Sequence, residues 1–188
     1  MGFIEKINQL EDVIVKSIPE AKEAALNTML GAFSARIFQH GKASDNSKIG
    51  FYSDFPMLTG SKNFINATRA AEFFKEKKDW LTIKTKKGSK KLAIVPGGYA
   101  QFRKLNGFQN EYVDLEFRGD LKFSIIVGEY NGIKVLGFAN DEQFLKAQKL
   151  EKHFKKIIFE PTQEEMELVQ EAFYDYIREK IQQTFDTW

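Results

Sequence analysis

Pro161-Thr162-Gln163-Glu164-Glu165 constrains this chain more tightly than any other stretch of it. A proline cannot continue a preceding helix, so it ends whatever comes before. Thr162 and Glu165 stand three apart, the spacing at which each side chain reaches the other's backbone N–H in a capping box. A helix therefore opens at this point. Met166, Val169, Phe173, Ile177 and Ile181 follow at three- and four-residue spacing and give it one apolar face. Upstream, Asn140 or Asp141 caps a helix over Glu142–Phe154, with Phe144, Ala147, Leu150 and Phe154 on one side. The chain's end is thus a pair of amphipathic helices. Glu164, Glu165, Glu167 and Glu171 resemble an acid cluster but fall in the first turn and on the solvent face, where the helix dipole and water favour them.

The N-terminus mirrors this pattern. Phe3, Ile7, Leu10 and Ile14 repeat at helical spacing, and so do Ala21, Ala25, Met29, Phe33 and Ile37. Ser17, Pro19 and Glu20 predict a second capping box and a break or kink near Ser17–Pro19. Residues 39–63 are rich in Gly, Ser, Asp, Asn and Lys and read as a long loop, with a short strand expected at Ile49–Tyr52. A helix over 67–78 reads as an insertion. The middle is β-like: Trp80–Thr85, a turn at Lys86–Ser89, then Lys91–Val95. Tyr99–Leu105 is a short helix, and Val113–Phe117 and Leu121–Val127 are further strands. Ile133–Phe138 follows a hairpin turn at Asn131-Gly132. Helix, then strands, then helices predicts an α+β fold: a central, mostly antiparallel sheet packed by a long N-terminal helix and the C-terminal helices. At 188 residues one domain over 1–188 is expected, able to bury roughly 70% of its unfolded surface.

Several functions find no residues to stand on. There is no cysteine, so disulfide and thiolate chemistry are excluded. Only two histidines occur, His40 and His153, and neither sits in metal-ligand spacing. Gly97-Gly98 follows a strand but belongs to no phosphate-loop pattern, and no serine lies in a nucleophile elbow. The chain reads as a non-enzyme, with no catalytic residue, cofactor or metal. No apolar run approaches membrane-spanning length, and the first residues lack a signal-peptide pattern, so no membrane is expected.

Charge is asymmetric although the net is only +2. Lys84, Lys86, Lys87, Lys90 and Lys91 crowd a hairpin, while eight acids against Arg178 and Lys180 lie from Glu160 onward. A basic hairpin tip suits phosphates, or keeps sheet edges apart, or faces another subunit. No aromatic residue interleaves with these lysines, which argues against base stacking. Opposite charges on distant segments suit a head-to-tail contact, which closes into a ring when the rotation permits.

Three segments, in order, carry a resemblance: Arg36-Ile-Phe-Gln-His-Gly-Lys-Ala-Ser-Asp-Asn-Ser-Lys-Ile-Gly-Phe-Tyr-Ser; Phe117-Arg-Gly-Asp-Leu-Lys-Phe-Ser-Ile; and Leu150-Glu-Lys-His-Phe with Ile158-Phe-Glu-Pro-Thr-Gln-Glu-Glu. Together they resemble phage tail-completion and virion-morphogenesis proteins, the head–tail joining, neck and tail-terminator subunits. The resemblance implies a structural virion protein in the neck or tail, assembled in the host cytoplasm. It implies a homo-oligomeric ring, a hexamer or dodecamer, meeting the tail-tube protein on one side and the head connector on the other. The loop 39–63 and the lysine hairpin become candidate contacts. Phe51, Tyr52, Glu164, Glu167 and Glu171 are the candidate interface residues, and Lys84, Lys86, Lys87, Lys90 and Lys91 the candidates for interface, lumen or passing phage-DNA contact. The alternative is a nucleic-acid-binding module using hairpin 84–91.

Overall fold

The computed structural model describes residues 2–76, 81–85 and 88–187. Its elements, in order, are α1 (Phe3–Ser34), a π-turn (Ala35–Gln39), β1 (Met57–Thr59), a 3-10 turn (Ser61–Asn63), α2 (Ala67–Glu76), β2 (Leu81–Thr85), β3 (Gly88–Val95), α3 (Gly98–Leu105), α4 (Asp120–Phe123), β4 (Ile125–Tyr130), β5 (Ile133–Phe138), α5 (Asp141–Phe154) and α6 (Gln163–Phe185). The fold is α+β with antiparallel sheets, as the pattern predicts. Where one domain with one central sheet was expected, the chain divides into two compact units. One holds Met1–Ser47 and Gly119–Trp188; the other is the inserted segment Lys48–Arg118. Each carries its own small sheet.

In the first unit α1 lies antiparallel to α6. Tyr176 donates a 2.6 Å hydrogen bond to Glu20, while Arg36 meets Glu165 at 2.8 Å at the other end. Ser17, Ala21, Ala25, Met29 and Phe33 form the buried stripe of α1. Of the break or kink expected near Ser17–Pro19, the break does not occur. Pro19 lies inside α1, and the Ser17 hydroxyl donates back to the Val13 carbonyl at 2.7 Å instead of capping a new helix. Burial of that stripe outweighs the local stop signal. β4 and β5 pair from Ile125–Phe138 to Tyr130–Ile133 and touch α1. Asn131 and Gly132 both take positive φ, 50° and 76°, as a twisted two-residue hairpin demands. The strand expected over Leu121–Val127 starts late: Gly119 at φ 84° opens the single turn α4, and β4 begins at Ile125.

The C-terminal punctuation forms as read. Thr162 Oγ1 accepts from Glu165 N at 3.1 Å, and Glu165 Oε2 accepts from Thr162 N at 2.8 Å. Replacing Thr162 by alanine should cost about 1 kcal/mol, the usual value of an N-cap hydroxyl. A urea-unfolding midpoint unchanged by Thr162→Ala would contradict this.

In the inserted unit β1 and β2 flank β3, all antiparallel. The short strand expected at Ile49–Tyr52 is absent, and the extended pairing of the long loop falls later, at β1. The core collects Phe64, Ala70, Phe73, Ala93, Val95 and Phe102, with Met57, Phe74, Tyr99, Leu105 and Phe117 packed against it. Phe64 meets Phe73, Phe74 and Phe102 with ring centroids 5.1–5.8 Å apart, in tilted or edge-on geometry. The expected inserted helix is present as α2; Lys77 and Lys78 lie outside the described residues. Gly98, at φ 60°, lies so close to the main chain of Ser53, Asp54 and Phe55 that no side chain fits there.

Candidate functional site

The expected strand Val113–Phe117 is not a strand. Leu115 sits at φ 54°, and Asp114 turns inward to 5% exposure. Asp114 Oδ2 accepts from Arg103 Nη2 at 2.8 Å and from Gln109 Nε2 at 2.5 Å. Its Oδ1 accepts from the Tyr52 hydroxyl at 2.7 Å and from Glu116 N at 3.0 Å. Arg103 is 1% exposed, and its remaining N–H groups donate to the carbonyls of Gln109 and Glu116. Its guanidinium lies 4.3 Å from the centroid of the Tyr52 ring and 5.2 Å from that of Phe108. Burial, reinforced by the bond to Asp114, holds the Tyr52 phenol well above its usual pKa, and burial also raises Tyr99. Each atom of this network has a structural partner. It clamps the segment after α3 onto the unit's core.

That geometry separates the two aromatic residues of the expected interface. Phe51 stands exposed beside Lys48, whose Nζ lies 5.6 Å from its ring. Tyr52 is instead half-buried in the clamp, its hydroxyl donating to Asp114 and accepting from Asp114 N at 3.1 Å.

The acids of α6 also separate. Glu164, Glu167 and Glu171 are exposed, with Glu167 accepting from Gln163 Nε2 at 3.0 Å. Glu165, between them in sequence, is buried. Arg36 Nε donates to its Oε1, Nη1 donates to the carbonyls of Lys42 and Ile158 at 3.1 and 3.2 Å, and Nη2 donates to that of Glu160 at 2.9 Å. Ser44 adds bonds to Glu160 O and from its N–H to Ile157 O, and Lys156 Nζ donates to Ser47. One guanidinium thus joins the exit of α1 to the entry of α6.

The lysines fall on two faces. Thr82 pairs with Lys91 and Lys84 with Ser89, so Lys84 and Lys91 share one face. Ile83 pairs with Lys90 on the other. All three are exposed; Lys86 and Lys87 lie outside the described residues. The face with Lys90 also holds what sequence reasoning passed over. Leu81 opposes Leu92, and Leu58 opposes Ile94. Leu58, Leu81, Ile83 and Ile94 are 42, 48, 39 and 53% exposed. The signal was present in the alternation of Leu-Thr-Ile-Lys and Lys-Leu-Ala-Ile, but alternation does not say which face meets the core.

The described surface also carries two apolar grooves. One, of about 760 Å³, runs between Ile18, Leu26, Ile133, Val169 and Phe173 in the first unit. The other, of about 660 Å³, is floored by Phe64, Ala70 and Phe74 and bordered by Lys62 and Lys91 in the inserted unit. Among the described residues no cluster of three or more His, Asp or Glu is arranged to hold a metal ion, and no helix is long and apolar enough to cross a membrane. No protein-family model matches the chain, and neither a curated protein nor a solved structure does.

Proposed function

We propose that this chain is a structural subunit of a tailed-phage neck, a ring that completes or terminates the tail and joins it to the head connector. The observation that carries the reading is the Arg36 hub. The first and last of the three segments that resemble tail-completion proteins, 36–53 and 150–165, are far apart in sequence. Arg36 and Ser44 bond the one to Glu165, Ile158 and Glu160 of the other. Residues 36–47 of the first segment and 150–165 of the last thus lie together in the first unit, and this adjacency is what supports the reading. The outward surfaces are suited to contact: an acidic stripe on α6 and an apolar, lysine-edged ribbon on β2 and β3. A neck subunit works by geometry, presenting one face to the last tube ring so that no further tube subunit finds an edge.

Electron microscopy of the purified protein, alone and mixed with isolated tails, tests this. Rings alone, or density added at the end of tails, are expected. Particles that remain monomeric and never join tails or connectors would overturn it. The exposed lysines of β2 and β3 favour the second reading, a nucleic-acid-binding module. That reading requires DNA retention that falls steeply with salt and disappears when Lys84, Lys90 and Lys91 become glutamate.

A further inference from the structure

We propose that the apolar face of the β2–β3 ribbon is a self-association surface, and that its occupant is the acidic outer stripe of α6 from a second copy. This deepens the neck reading by naming its subunit contact, and rests on that reading only for closure into a ring.

The ribbon is built in an exposed way. Among the described residues β3 pairs with β1 over Ala93–Val95 and with β2 over Gly88–Leu92. The β2 half is therefore a two-stranded arm, and two strands alone are marginal in water. Every described side chain of β2 is exposed, on both faces. Ala93 and Val95 point into the core, so the pleat turns Leu92 and Ile94 outward, beside Leu81 and Leu58. Leu58, Leu81, Ile83, Leu92 and Ile94 form a continuous aliphatic row that ends at Lys90. A contiguous exposed row of this kind marks a contact surface.

The α6 stripe has the complementary chemistry. Glu164, Glu167, Leu168, Glu171 and Asp175 recur at three- and four-residue spacing and are all exposed. Leu168 supplies apolar surface, while the acids suit Lys90, which closes the apolar row on a ribbon whose β2 and β3 contain no acidic residue. Lengths agree as well. Ile94 to Lys90 spans about 13 Å at roughly 3.3 Å per strand residue, and Glu164 to Asp175 spans about 16 Å at 1.5 Å per helix residue. A phosphate backbone would satisfy Lys90 but leave the exposed Leu58, Leu81, Ile83 and Ile94 with nothing to bury against, and the row lacks the aromatic platforms on which bases stack. A helix with acids around a leucine satisfies both. Ribbon and helix are different surfaces, so the contact is heterologous: each copy offers one of each, head to tail.

Charge reversal tests this in the full-length protein without phage components. One variant carries Lys90→Glu, the lysine on the apolar face; another carries Glu167→Lys and Glu171→Lys. All three positions are exposed, and circular dichroism and melting temperature verify folding. By sedimentation velocity the wild type is expected to self-associate. Each variant alone should associate about tenfold or more weakly, and the two mixed should associate again at equal stoichiometry, since every ribbon then finds a helix of opposite charge in the other variant. A third variant, Ile83→Asp, should weaken association with the lysines untouched. A wild type monomeric at all attainable concentrations overturns the proposal. So do variants that associate like the wild type, or a mixture that fails to recover. Loss of DNA binding in the lysine variant with unchanged self-association overturns it in favour of nucleic acid. Self-association that behaves as described in a protein that never joins tails leaves this contact standing and removes the neck reading.

Discussion

Arg103→Met is expected to destabilise the inserted unit by roughly 3–5 kcal/mol, the range for stranding one charge of a buried ion pair. Arg103 and Asp114 have side chains only 1 and 7% exposed, and they meet at 2.8 Å. Methionine approximates the aliphatic stem but removes the cation over the Tyr52 ring and three donors. The Asp114 carboxylate would keep Tyr52, Gln109 and Glu116 N as partners, all neutral, in a site that water does not reach. Asp114→Asn should cost less, since Oδ1 still accepts from Tyr52 and Glu116 N. The double variant Arg103→Met/Asp114→Leu should recover part of the loss, because removing both charges is far less costly than stranding one. Amide-exchange protection in β3 and α3 reads the unit's stability directly. A loss below about 1 kcal/mol for Arg103→Met would mean that the pair is not desolvated as its burial indicates.

What the sequence makes legible divides by range. The start of α6 is a local matter of four residues, and Thr162 and Glu165 bond as their spacing predicts. The Asn131-Gly132 turn is equally local, and its two positive φ values follow from residue type. Local signals fail where burial opposes them. Pro19 signals a break, yet the stripe from Ser17 to Phe33 packs as one helix. Val113–Phe117 alternates like a strand, but Asp114 is held inward by Arg103, eleven residues earlier, and the backbone bends through Leu115 to allow it. The candidate interface shows a third kind of limit. Alternation in β2 and β3 identifies strands and is silent on which face is inside. Ala93 and Val95 take the interior beside the aromatic cluster, and a period of two then sends every larger aliphatic neighbour outward. The lysines are divided between faces by the same register, so a cluster that looks continuous in sequence is two surfaces. The division into two units escapes sequence reading because Arg36 and Glu165, which join the two chain segments of the first, are 129 residues apart.

Glu165 carries two duties, and substitution can separate them. Its Oε2 completes the capping box with Thr162 N, while its Oε1 receives Arg36 Nε at 2.8 Å. Glu165→Ala ends both and should cost roughly 3–5 kcal/mol in the first unit, several times the Thr162→Ala loss, because the Arg36 cation stays buried with carbonyl oxygens and the Phe33 ring around it but no anion. Glu165→Gln keeps a side chain competent for the capping box but gives Arg36 a neutral partner. Its loss should fall between the other two. A double-mutant cycle with Arg36→Met isolates the pair: Arg36→Met/Glu165→Leu should be more stable than the sum of the single changes predicts, since each single change leaves a buried charge and the double leaves none. Chemical denaturation followed by amide exchange in α1 and α6 supplies the free energies. If Glu165→Ala and Thr162→Ala cost the same, the glutamate serves the cap alone, and the joint between the exit of α1 and the entry of α6 must be held by Ser44, Lys156 and the backbone instead. The expected inequality makes Arg36 the closing bond of the unit, with the helix start as its foundation.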